Sequence, residues 1–121
     1  MIAESTSLNP FFDKEELLKR VINNHDLVKT LLTIFIEDMP EILNNLIQAA
    51  EDNNYDKVVL EAHNLKGSSY NLTVNKIGDL AKEIEKCGKE KDLDQVNALL
   101  PKLVEQLELT IDHFKCEIAN K

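Results

Sequence analysis

Residues 55–72 read Tyr-Asp-Lys-Val-Val-Leu-Glu-Ala-His-Asn-Leu-Lys-Gly-Ser-Ser-Tyr-Asn-Leu. Within them Val58, Ala62, Leu65, Ser69 and Leu72 recur at intervals of four and three, which places small or apolar groups on one stripe of a helix. At about 100° per residue His63 lies more than a quarter turn off that stripe and is expected to face solvent. The same outer face takes Val59 one turn before it, Lys66 and Gly67 one turn after, and Tyr70 two turns after. A helix so divided needs other helices to cover its apolar stripe.

The flanking sequence supplies them. Towards the N-terminus, Leu27, Leu31, Phe35, Met39, Ile42, Leu46 and Ala50 repeat at helical spacing, with Pro40 expected to kink the segment. Asp52, Asn53 and Asn54 form a polar turn short enough to join antiparallel neighbours. Before that, Asp13 with Glu16 reads as a capping box and Phe12 with Leu17 as a hydrophobic staple, so a short helix is expected near 14–22, ended by Asn23 and Asn24. Towards the C-terminus, Ile77, Leu80, Ala81, Ile84 and Cys87 mark a helix from about Asn75 to Cys87, with Gly88 as its left-handed cap and Lys86 and Lys89 suiting its negative end. Val96, Leu99, Leu100, Leu103, Leu107, Ile111 and Phe114 mark a last helix over about 93–114, with Asp92 and Gln95 as its cap and a bend at Pro101. The expected fold is all-α, an antiparallel up-and-down four-helix bundle with a short additional N-terminal helix. Residues 1–10 read as an N-terminal tail and residues 11–118 as the one bundle domain.

Composition agrees and narrows the function. A chain of 121 residues, 43% hydrophobic, is enough for one core and not two. Three glycines, three prolines and six aromatics, none of them tryptophan, argue against a sandwich or barrel. The formal charge of −8 opposes binding to nucleic acid or an anionic membrane, since both attract cations, and leaves a protein as the natural partner. No apolar run approaches the roughly 18–20 residues of a membrane span, and MIAESTSLNP lacks a signal-peptide pattern, so a cytoplasmic location is expected. Cys87 and Cys116 have neither CxxC nor zinc-ligand spacing and read as free thiols. The initial Met1 weighs slightly towards a free-standing protein over a piece of a hybrid kinase.

A bundle by itself names no function; the face around His63 does more. Gly67 inside a helix costs about 1 kcal/mol relative to alanine. Two readings explain it: room beside the His63 ring for a phosphoryl group, or close packing of a neighbouring helix. Lys66 places an ammonium where it would neutralise phosphoryl oxygens, although one lysine on a helix surface is ordinarily a solvated lysine. His63 alone is no signal either, and it is the conjunction that carries weight.

The stretch Glu61-Ala62-His63-Asn64-Leu65-Lys66-Gly67-Ser68-Ser69 resembles, position by position, the Ala-His-x-Leu-Lys-Gly-Ser-Ser/Ala core of the histidine-containing phosphotransfer (HPt) domains of two-component phosphorelay signalling. The resemblance extends to Leu80 and Ile84-Glu85, and more loosely to Phe35-Ile36-Glu37-Asp38-Met39-Pro40. One departure is Thr73, where the family usually has glycine ten residues after the histidine. The resemblance implies a phosphocarrier without kinase or ATPase activity of its own. His63 would accept a phosphoryl group from a receiver-domain aspartyl phosphate or a sensor kinase and yield it to a response-regulator receiver. It implies no bound cofactor and no metal site, with Mg held in the partner receiver, and a monomer working with a hybrid sensor histidine kinase and receivers. It also implies that Glu85, twenty-two residues after the histidine, holds one ring nitrogen; its bland reading is a surface carboxylate.

Val59, Leu60 and Tyr70 lie on or beside the histidine face without being needed by the core stripe, so they are candidates for docking a receiver, against the ordinary reading of scattered exposed apolar groups. Lys82, Lys86, Lys89 and Lys91 form a basic run, read as a solvated face or as steering for an acidic receiver pocket. His25 and His113 read as structural or idle. A di-metal carboxylate bundle needs Glu-x-x-His motifs, and no histidine here has Glu three positions before it. A histidine-kinase stem would follow its histidine with an acidic residue, and here Asn64 follows. A non-catalytic helical adaptor explains the fold equally well and stays open at this point, leaving His63, Lys66 and Gly67 as accidents.

Overall fold

Short polar side chains decide where most of the helices begin. The computed structural model describes residues 11–119, and its regular elements are α1 (Lys14–Arg20), α2 (His25–Glu51), α3 (Tyr55–Asn71), α4 (Asn75–Lys89) and α5 (Leu93–Ala119). Asp13, Asn24, Asn54 and Asp92 each accept the backbone N–H three residues further on, at 3.0–3.1 Å. The expected capping box at Asp13 forms only by half. Glu16 pairs with Arg20 instead of reaching back, because the Asp13 N–H is already taken by Thr73, at 2.8 Å to Oγ1. The expected tail, residues 1–10, lies outside the described residues.

Each long helix packs on its neighbour in sequence, and α5 returns to α2, so α2, α3, α4 and α5 close a ring around one core while α1 packs on α2. The stripe read in α3 is buried throughout: Val58, Ala62, Leu65 and Ser69 are fully covered and Leu72 nearly so. In α5 Val96 to Phe114 follow the expected face, with Ile111 half-buried. The first turns of α2 differ from expectation. Val28 and Leu32 are buried there, while Leu27 is exposed and Leu31 only half-buried. At this end α1 packs against α2, and the buried Leu17 and Phe12 extend the core, so the inward face is set by α1 as well as by the other long helices. Pro40 and Pro101 sit on exposed faces inside α2 and α5, where carbonyls left without a donor can meet water.

The left-handed positions are filled without glycine. Ile22, Asn23, Asn53, Thr73 and Lys91 have φ between 54° and 60°, and no described glycine has positive φ. This corrects the reading of Gly88 as a cap: it lies within α4, and Lys91 takes the left-handed turn after it. A Cβ at Gly88 would stand 3.0 Å from Val59 and 3.1 Å from Val58, so this glycine lets α4 approach α3 closely. A Cβ at Gly78 would overlap the ring of Tyr70. Both serve the α3–α4 seam, and His63 stands on that seam.

Candidate functional site

His63 projects from the middle of α3 with its side chain 61% exposed, as the periodicity predicts. Its Nδ1 lies 3.2 Å from Oε2 of Glu85 on α4. Glu85 itself is 8% exposed by side chain, a buried carboxylate and not a surface one. Its other oxygen, Oε1, receives Lys66 Nζ at 2.7 Å, and Lys89 Nζ stands 3.5 Å from Oε2. The hydrogen bond from Lys66 holds the Glu85 carboxyl below the usual carboxylate range; burial opposes this, and the His63 contact and the charges of Lys66 and Lys89 assist it. Glu85 is therefore ionised near neutrality and can only accept hydrogen bonds. The hydrogen on the imidazole belongs on Nδ1, facing Glu85, and the lone pair of Nε2 faces away from the carboxylate.

Lys66 thus has a resting partner. Sequence reasoning places it beside His63 as a free charge; the structure places it against Glu85, with its side chain 26% exposed. Lys89, expected to suit the helix end, belongs to the same cluster. A signal was available, because Glu85 and Lys89 are four apart in the favourable order. The Glu85–Lys66 pairing joins two helices and depends on their register, which no spacing along the chain reveals.

Gly67 is exposed, and a Cβ built on it would meet nothing within 4 Å among the described residues. Close helix packing therefore does not account for it; open space adjoins the helix face one turn beyond His63. Of the apolar residues named around the site, Leu60 is 55% exposed, whereas Val59 and Tyr70 are half-buried. Val59 packs where α4 carries Gly88, and the Tyr70 ring lies on Gly78. The Tyr70 hydroxyl donates to Asp79 at 2.6 Å, and this bond pushes its pKa up to about 12. Neither Asp79 nor Gly78 stands out in the sequence.

The other candidates lie elsewhere. His25 opens α2 and lines a cleft of about 420 Å³ with Lys14, Lys29 and Glu117. His113 stacks on Phe11 with ring centroids 4.6 Å apart. Cys87 is buried, which pushes its thiol pKa up, and Cys116 is exposed; both are free thiols. Among the described residues no group of three or more His, Cys, Asp or Glu side chains is placed to hold a metal ion. No helix there is long and apolar enough to cross a membrane.

The sequence matches the family model of the Hpt domain over residues 30–115, which runs from α2 through α5 and contains His63, Lys66, Gly67 and Glu85. This chain belongs to the Hpt domain family. An Hpt domain is a histidine phosphotransfer module of two-component phosphorelay signalling, a phosphocarrier that interacts with receivers and kinases. The fold of this Hpt domain is also found in the crystal structure of histidine-containing phosphotransfer protein B (HptB) from Pseudomonas aeruginosa PAO1. That structure superposes with a TM-score of 0.86 at 24% identity, over 93% of this chain and 98% of the other. A comparison with curated protein sequences returned no match.

Proposed function

We propose that this Hpt domain is a phosphorelay intermediate whose phosphoryl group resides on His63. The observation that carries the reading is the exposed imidazole with Nδ1 turned to an ionised, buried Glu85, which leaves Nε2 as the nucleophile. Nε2 attacks the phosphorus of a receiver's aspartyl phosphate or of a sensor kinase's phosphoryl donor. The N–P bond forms as the bond to the donor oxygen or nitrogen breaks. Onward transfer reverses the step onto a receiver aspartate. Stabilisation in such a reaction is positional and electrostatic. Lys66, one turn from His63, answers the phosphoryl charge, Gly67 leaves room for the group, and Glu85 orients the ring.

Residues 11–118 act as one domain, and the ring of α2 to α5 is read as an antiparallel up-and-down bundle. The chain works as a cytoplasmic monomer with no kinase activity of its own and no bound cofactor, Mg being held by the partner receiver. Leu60, with Val59 and Tyr70 beside it, supplies the apolar part of the docking face.

The experiment is phosphoryl uptake from a labelled receiver domain, read as an acid-labile, base-stable phosphate. His63→Gln abolishes uptake, while His25→Gln and His113→Gln retain it. Labelling that persists without His63, or labelling of the purified chain from ATP alone, refutes the assignment.

A further inference from the structure

Charged side chains are divided unevenly around the ring of helices. α3 and α4 form one edge and carry six lysines against five carboxylates, whereas α2 and α5 form the opposite edge and carry three lysines against ten. A chain of formal charge −8 thus keeps nearly all its excess negative charge away from the edge that holds His63. On α4, Lys82, Lys86 and Lys89 follow at intervals of four and three and are all exposed, so they form one stripe. Lys82 stands one turn before Glu85 and Lys89 one turn after it, which sets the stripe alongside the His63–Glu85 contact. Lys82 and Lys86 enter no ion pair among the described residues, so their charge is turned to solvent.

We infer that the Lys82–Lys86–Lys89 stripe is an electrostatic landing surface that steers an acidic protein face onto His63, while the acidic α2–α5 edge turns that partner away from the wrong side. Two acidic proteins repel overall, and only the gradient across the molecule decides which faces meet. Such gradients act over about one Debye length, near 10 Å at 0.1 M salt, and they change association rates more than final affinity. The partner identity, a receiver domain presenting its carboxylate-lined phosphorylation pocket, rests on the phosphotransfer reading. Nucleic acid and anionic membranes do not fit, because the −8 charge opposes any extended anionic surface larger than the stripe.

The test is stopped-flow association of the full chain with a purified receiver domain of net negative charge. It compares Lys82→Glu/Lys86→Glu with Lys102→Glu/Lys115→Glu, an equal charge change on exposed positions of α5. At low salt the α4 pair is expected to slow association about tenfold or more and the α5 pair by less than about twofold. Near 1 M salt, where the Debye length falls to about 3 Å, all three chains converge, and transfer at saturating receiver is unchanged throughout. Circular dichroism verifies that each variant is folded. Equal slowing by both pairs, no slowing, a defect that survives high salt, or no association of the parent chain overturns the inference. Uptake of label by His63 is read in the same samples. A chain that associates as expected but takes no phosphoryl group fails the phosphotransfer reading and leaves the stripe standing.

Discussion

Glu85 is one buried carboxylate with three partners, and its ionisation ties stability to pH. Its pKa in the folded chain lies below the ordinary value of 4.5. A carboxyl depressed on folding contributes stability that is fully present above its unfolded pKa and is lost as pH falls through the folded pKa. Thermal unfolding measured against pH should therefore show the parent chain losing part of its stability below about pH 4.5, with a shallower decline in Glu85→Gln; parallel curves would mean the carboxylate is not coupled to folding. Lys66 and Leu60 are expected to separate cleanly. Lys66→Ala should slow transfer at saturating receiver, because the phosphoryl charge it is proposed to answer is present only during transfer, and it should also lower stability, because it removes the nearest cation from the buried Glu85. Leu60→Ala should instead weaken receiver binding by about 1–2 kcal/mol with the saturated rate intact. Titration calorimetry and single-turnover kinetics check the two, and an exchange of phenotypes would reverse the roles. Ser69 makes a simpler case. Its hydroxyl is fully buried with no hydrogen-bond partner among the described residues, so Ser69→Ala should stabilise the fold by about 1 kcal/mol, the typical desolvation cost of such a group.

At the scale of elements, the turn between α3 and α4 solves a steric problem by bonding. Thr73 is β-branched with φ of 60° and is buried, a conformation that costs roughly 1–2 kcal/mol in a non-glycine residue. Its Oγ1 accepts the Asp13 N–H at 2.8 Å and donates to the Asp13 carbonyl at 2.9 Å. Arg20 adds bonds to the carbonyls of Tyr70 and Asn71, so α1 is fastened to the end of the histidine helix. Thr73→Ala keeps the strain and loses the bonds, and a destabilisation of about 1–2 kcal/mol is expected. Thr73→Gly loses the same bonds but relieves the strain, and should stay within about 1 kcal/mol of the parent. Equal losses in denaturant titrations of the two variants would show that strain plays no part. The helices themselves, their order and most buried faces were legible because apolar periodicity is a local property, as Val58–Ala62–Leu65–Ser69 shows. What was not legible depends on where one helix meets another: the inward face at Val28 and Leu32, set partly by α1, Gly88 spent on packing against Val59, and Glu85 claimed by Lys66. The family resemblance pointed to His63 and Glu85, but only the register of α3 on α4 puts the carboxylate underground with three partners.

For the molecule as a whole, α1 and the proposed phosphotransfer site occupy different regions. Phe12 and Leu17 bury their side chains at the α1 end, while His63 and Glu85 meet on the α3–α4 seam. Deleting residues 1–23 should cost at least about 3–6 kcal/mol, from the two buried side chains at roughly 1.5–3 kcal/mol each, because the bonds of Asp13 and Arg20 to the α3–α4 turn are lost as well. Below its lowered melting temperature, that shortened chain should still take label on His63; loss of uptake in a folded truncation would show that α1 takes part in the site. Set against total stabilities of about 5–15 kcal/mol, such amounts are large, and they give the open space at Gly67 a practical meaning. Nothing there resists a methyl group, and alanine would favour the helix by about 1 kcal/mol. A selection for thermal resistance alone would pick up Gly67→Ala early, and if Gly67 leaves room for the phosphoryl group as proposed, each such winner would be a sturdier protein and a poorer messenger.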